Sequence, residues 1–196
     1  SFFQPFFTGD EAELVAPLPE GLELRTKEIK GAAYYLDADL VGVCDLPAFA
    51  WCNDLTAKPS AQHTHAIACV VAHGRAAEPD SLAERWLVKS TANIARMRAA
   101  EIAACIAGHI RTLGFAAQAH VKGHSEVDLA RLAVLAGTAQ RIDNTEKITT
   151  PFFEQFEVAV VTCNYPLVTD QPLSIDAKPN ALKHWLGING AMSGRE

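Results

Sequence analysis

The sequence predicts an α+β domain, and three observations carry that prediction. Strand-like apolar runs at 39–46, 66–73, 115–121 and 157–163 are set apart by helical stretches without regular βαβ alternation. Neither GxGxxG nor GxxxxGK[ST] occurs, which removes the glycine-rich phosphate loops of dinucleotide and P-loop folds. The 196 residues are 49% hydrophobic, enough for one sizeable core, so a single body is expected. We divide the chain into an N-terminal arm over 1–24, one α+β domain over 25–173 and a tail over 174–196.

Residues 1–24 hold Pro5, Pro17, Pro19 and several aromatics without a sustained period. They read as an arm lying over the body or over a partner, a homodimer in the second case. From Thr26, TKEIKGAAYYL places Ile29, Ala32, Ala33 and Leu36 on one helical face, with Thr26 as the expected N-cap. A short β-rich run, DLVGVCDL, follows, then a loop over 47–63. AIACVVAH is continuously apolar, as a fully buried strand is.

Pro79-Asp80-Ser81 opens the longest helical region. Leu82, Trp86, Lys89, Asn93, Met97 and Ala100 trace one face, and Ile94, Ile102, Ile106, Ile110 and Leu113 a neighbouring one. Its length leads us to expect a break near 88–92, and Gly114 ends it as a C′ glycine. FAAQAHV alternates weakly, as a strand. Ser125, with Asp128 three residues on, predicts a capped start for a helix over 126–136. EVAVVTC is the last strong strand, and beyond Pro172 only LKHWL keeps a helical pattern.

A net charge of −6 argues against nucleic acid as a partner, since phosphate binding needs clustered Lys and Arg. No stretch approaches 18 consecutive apolar residues, so no membrane span is expected. The first residues lack a basic signal-peptide region, and a cytoplasmic location is expected. The cysteines (Cys44, Cys52, Cys69, Cys105, Cys163) are odd in number and scattered without a CxxC. They read as buried, reduced thiols, with no iron–sulfur cluster in this chain. His63 and His65 share a face at a strand entrance, but two ligands are too few for zinc, and no metal site is expected.

The segments KGAAYYLDADLVGVCDL (30–46), AIACVVAH (66–73), AAEIAACIAGHIRTLGFAAQAH (99–120), ARLAVLAG (130–137), KITTPF (147–152) and VAVVTCNYPLVTDQPL (158–173) follow one known order. It resembles the cobalamin-binding domain of reductive dehalogenases and, more distantly, epoxyqueuosine reductases. The resemblance implies a nitroreductase-like, cobalamin-processing-protein-like fold, a mixed sheet flanked by helices. It also implies a base-off corrinoid held by main-chain groups and apolar walls, at which reduced cobalt cleaves a carbon–halogen bond.

On that resemblance, Gly137 and Thr138 form the cofactor turn, and Asn144, Thr149 and Thr150 hydrogen-bond the corrin amides. The family places a Tyr proton donor ahead of the long helix; here the one aromatic in 79–100 is Trp86, counted among the cofactor contacts. His124 lies near the acidic proton donor of the epoxyqueuosine reductases. Arg141 and Lys147 supply a cation to the donor or to the corrin amides. Each also has a plain structural reading, as a loop charge, cap or turn residue.

Three departures bear on activity. Residues 136–140 read AGTAQ where the family has an AGLGE-type turn, so Ala139 stands at the second glycine. No Tyr occurs in 79–100. No ferredoxin-like cysteines follow TDQPL before Glu196, which implies a separate electron-donor protein. If active, the chain is an oxidoreductase of reductive dehalogenase type. The alternatives are a non-catalytic structural or interaction domain that has lost the cofactor, and a flavin-binding nitroreductase-type enzyme.

Overall fold

The computed structural model describes residues 2–52, 63–74, 80, 82–142 and 147–173, apart from the side chains of residues 85, 86, 88 and 89. Asn144, the LKHWL segment and the side chain of Trp86 therefore lie outside the described residues. In chain order the elements are α1 (Leu22–Tyr35), β1 (Leu40–Asp45), β2 (His65–Ala72), α2 (Glu84–Thr112), β3 (Ala117–Val121), α3 (Leu129–Leu135), β4 (Gln140–Arg141), β5 (Ile148–Thr149) and β6 (Phe156–Cys163), with short 3₁₀ turns at Gln4–Phe6 and Ala48–Ala50.

Four strands form one sheet in the order β1-β2-β6-β3, and every pairing in it is antiparallel. β4 and β5 form a separate two-stranded ribbon. Helices cover both faces, giving the expected helix-flanked α+β fold. The period of two sorts the central strands cleanly. Ile67, Cys69, Val71, Ala159, Val161 and Cys163 pack with α1 and α2, while Ala66, Ala68 and Val160 pack with α3.

α2 is one continuous helix of 29 residues, so the break expected near 88–92 is not there. Its buried stripe is Ala95, Ala99, Ile102, Ala103, Ile106, Ala107 and Ile110. Met97 and Ile94, assigned to apolar faces from sequence, are 60% and 56% exposed. Alanine is the reason: small side chains let a helix approach a sheet closely, so the contact face is less hydrophobic by residue type than its neighbours.

Two caps also differ from expectation. α1 begins at Leu22 after Gly21, and Thr26 lies inside it. The Thr26 hydroxyl donates to the Leu22 carbonyl at 2.9 Å and accepts from the Val168 amide at 2.8 Å. α3 is capped by Asp128, which accepts from the Arg131 amide at 2.9 Å. Ser125 instead closes a tight turn onto Val127. Among the cysteines, Cys44, Cys69 and Cys163 are buried as expected, but Cys52 and Cys105 are exposed.

Both sheet edges are covered, which removes the open backbone that invites pairing with another chain. At β3, the arm lies on its own body: the Ala119 amide donates to the Phe7 carbonyl at 2.8 Å, and Phe7 is fully buried. Arg111 clamps the arm through the carbonyls of Phe6 and Ala117. At β1, Asp170 of the TDQPL segment does the covering. Its carboxylate accepts from the Val43 amide at 2.7 Å, its own amide donates back to the Val43 carbonyl, and Lys30 sits 2.6 Å away.

Asp170→Ala leaves the Val43 amide without this partner and is expected to cost about 2 kcal/mol, mostly from the charge-assisted hydrogen bond, since the ion pair is partly solvated. Denaturant unfolding measures it; an unchanged midpoint would show that the exit segment does not clamp the edge.

Candidate functional site

The turn after α3 is built by its own backbone. The amides of Gly137 and Thr138 donate to the carbonyls of Val134 and Ala133 at 3.1 and 3.0 Å, and the Thr138 hydroxyl donates to the Ala133 carbonyl at 2.9 Å. These bonds satisfy carbonyls left open at the helix end. Gly137 has φ +68°, and a Cβ there would fall on the Gln171 carbonyl oxygen. Ala139, where the family pattern has glycine, does not have positive φ and is fully buried among Leu132, Ala133 and Val160. On the inner side, Gly42 of β1 abuts the Ala136 carbonyl.

The other sequence-predicted residues sit elsewhere. Arg141 and Thr149 are exposed on the β4–β5 ribbon, and Lys147 is exposed just before it. Thr150 is buried, with a hydroxyl that has no hydrogen-bond partner. His124 is exposed beyond the β3 edge, its ring 5.6 Å from that of Phe7. Gly137 packs beside β1, at the opposite edge. Three strand spacings separate the two, roughly 14 Å. The structure thus joins Gly137 and Thr138 in one turn, places Arg141, Lys147, Thr149 and Thr150 along the ribbon, and leaves His124 across the sheet.

Sequence reasoning missed an ionic cluster at the far end of the sheet. Glu157 is buried, with Arg96 at 3.3 Å, His73 at 3.6 Å and Lys122 at 4.0 Å. A cavity of 480 Å³ adjoins it, floored by Leu129, Ile148, Phe156 and Val158. The one available signal was a lone Glu opening the apolar strand EVAVVTC. Also missed was His120, fully buried on the α3 face of the sheet, whose burial pushes its imidazole down to about 3, with His63 and His124 adding to the effect.

A corrinoid can be tested against the turn. The hollow beside it, between Phe49, Leu135, Gln171 and Pro172, has a volume of 300 Å³. That is at the small end for drug-sized ligands, and a corrin ring with its side-chain amides is larger than those. The turn itself presents Gly137 to the protein's own Gln171 rather than to open space. Within the turn, the Gly137 and Thr138 amides are already taken by the carbonyls of Val134 and Ala133. Among the described residues, Thr150 is one of three with a buried polar atom that has no hydrogen-bond partner, beside His73 and Asn164.

No protein-family model matches the sequence, and no curated protein does. Solved structures do. The fold is that of a reductive dehalogenase domain. The catabolic reductive dehalogenase NpRdhA is 36% identical with a TM-score of 0.82, over 98% of this chain and 27% of that one. A reductive dehalogenase structure described as suggesting a mechanism for B12-dependent dehalogenation is 36% identical with a TM-score of 0.81, over 96% of this chain and 26% of that one.

Epoxyqueuosine reductase from Bacillus subtilis shares the fold at a TM-score of 0.54 and 11% identity, over 79% of this chain and 49% of its own. The chain is related to the reductive dehalogenases, through the cobalamin-binding domain its sequence resembles. It spans about a quarter of the length of those it matches. No helix among the described residues is long and apolar enough to cross a membrane.

Proposed function

We propose that this chain is a corrinoid-domain fold serving as a non-catalytic structural module of a longer reductive-dehalogenase-like protein. One observation carries this reading: the turn that would cradle the cofactor is closed on its own backbone, with Gly137 against Gln171, Gly42 against Ala136 and Ala139 buried. The scatter of the candidate proton donor and cations supports it. His124 stands across the sheet from the turn, and Arg141 and Lys147 face solvent.

A second reading, corrinoid binding in an active dehalogenase, is favoured by the unpartnered buried hydroxyl of Thr150 and by the 36% identity to a protein described in B12-dependent terms. In that reading Gly137, Thr138, Thr149 and Thr150 hold the macrocycle. The corrinoid would bring the redox chemistry.

The two separate in one experiment. The full chain is unfolded and refolded with hydroxocobalamin and, in a parallel sample, with flavin mononucleotide, then desalted and scanned. Folded, colourless protein from both is expected. A retained base-off corrin spectrum overturns the structural reading in favour of the second, and a retained flavin spectrum points to a nitroreductase-type enzyme.

A further inference from the structure

Three polar side chains, two of them fully buried, line up at one end of the sheet, on the face that carries α3. His120 Nδ1 is 3.3 Å from the Glu126 amide, His120 Nε2 is 2.9 Å from the Thr162 hydroxyl, and that hydroxyl is 2.8 Å from His63 Nδ1. Trp51 stands edge-on to the His120 ring at 6.4 Å. His120 and Thr162 are fully buried, while His63 reaches the surface in part.

The chemistry of each group sets the direction of every bond. A backbone N–H can only donate, so the Glu126 amide requires a bare Nδ1 on His120. Neutral His120 then carries its hydrogen on Nε2 and donates to Thr162. Thr162 is left with its own hydrogen, and a fully buried hydroxyl hydrogen without a partner is costly. The acceptor within reach is His63 Nδ1, so His63 holds its hydrogen on Nε2. The chain of bonds runs one way, from the Glu126 amide to His63.

The far end of this chain holds the connection between β3 and α3. Glu126 accepts from the Cys52 amide at 2.9 Å, Asp128 donates its amide to the Ala50 carbonyl at 2.8 Å, and Trp51 bridges Val127. Asp128 is also the cap of α3. One hydrogen bond to His120 therefore steadies the start of α3 and the segment around Trp51 together.

We propose that His63, Thr162 and His120 form a one-way relay that works as an acid-operated latch on the β3–α3 connection. A proton taken up at His63 Nδ1 turns that atom from acceptor to donor, and the Thr162 hydroxyl must rotate to accept from both rings. A proton taken up at His120 Nδ1 sets N–H against N–H at Glu126, and the latch opens. His63 protonates first, because it is the more accessible ring.

Among the described residues, the titratable groups around the relay are Glu11 from the arm, His65 held through Thr64, His124, and Glu126 on the latched segment itself. Glu11 favours the charged form of His63, while His63 and His124 oppose that of His120.

Nitrogen-15 NMR of the full chain tests this directly. His120 is expected as the single Nε2–H tautomer, with the Glu126 amide protected, between pH 7.5 and 4.5. It is expected to take up its proton only near pH 3, with loss of that protection and after His63 has taken up its own. Thr162→Ser is expected to keep the exchange protection of the Glu126 amide, and Thr162→Val to speed that exchange by about tenfold or more. Hydrogen on His120 Nδ1 above pH 4.5, protection of the Glu126 amide that survives protonation of His120, or equal exchange in the serine and valine variants would overturn the latch. None of these readouts depends on whether a corrinoid binds.

Discussion

Gly42→Ala is expected to abolish the cooperative native state. Gly42 lies in β1, and a Cβ there would land on the carbonyl oxygen of Ala136, with the Ala136 carbonyl carbon and the Thr138 methyl both 2.9 Å away. Two of those three atoms are backbone, at the end of a helix whose last turn is tied by the Thr138 hydroxyl, so no rotamer change relieves the contact. α3 must move off the sheet instead. The helix and the turn after it cluster with the sheet through small side chains (Ala133, Ala136 and Ala139 with Ala66 and Ala68), and such a face loses contact everywhere when it is lifted even slightly.

Overpacking a core ordinarily costs about 1–3 kcal/mol, and this collision is backbone against backbone. A loss above about 4 kcal/mol is therefore expected, a large share of the roughly 5–15 kcal/mol that holds a domain together. Near-UV circular dichroism and thermal unfolding read the result. A variant that melts within a few degrees of the parent would show that α3 does not seat on β1.

Acid is expected to destabilise the protein well before its carboxylates protonate. Burial holds the His120 imidazole down to about 3, against about 6.5 for a free histidine. Between those values the unfolded chain binds a proton that the folded chain refuses, so stability is fully present above pH 6.5 and is lost as pH falls below it. At pH 4.5 the gap of about two units from the free value corresponds to about 2.7 kcal/mol from His120 alone. His63, also lowered by burial, adds in the same direction.

Urea unfolding of the parent chain at pH 7.5 and 4.5 measures the sum. His120→Gln is less stable at pH 7.5 but should lose most of this pH dependence. The same slope in both chains would place the acid sensitivity elsewhere.

Much of the fold was legible in advance. Continuous apolar runs such as AIACVVAH read as buried strands because both faces of the sheet are covered, and the resemblance carried by ARLAVLAG and VAVVTCNYPLVTDQPL matched the relatives found by structure. The contact face of α2 is not the one its pattern points to, because its alanines weigh less than Met97 and Ile94 in any hydrophobic pattern. Ser125 and Asp128 can both accept an amide at the start of α3, and only the turn geometry separates them.

The candidate site was less legible. Asp170 in TDQPL reads as punctuation in sequence, and nothing local says that its carboxylate caps a strand more than a hundred residues earlier. By itself the sequence determined the kinds of elements and their order, since period, apolar runs and turn residues act within a few positions. Only the tertiary structure decided what Gly137 is for. Its φ and its place after a helix are local facts, but whether the space beside it holds a ligand or the Gln171 carbonyl depends on where a segment thirty-odd residues later comes to rest. Such contacts follow from the packing of whole layers, which no short stretch of chain encodes.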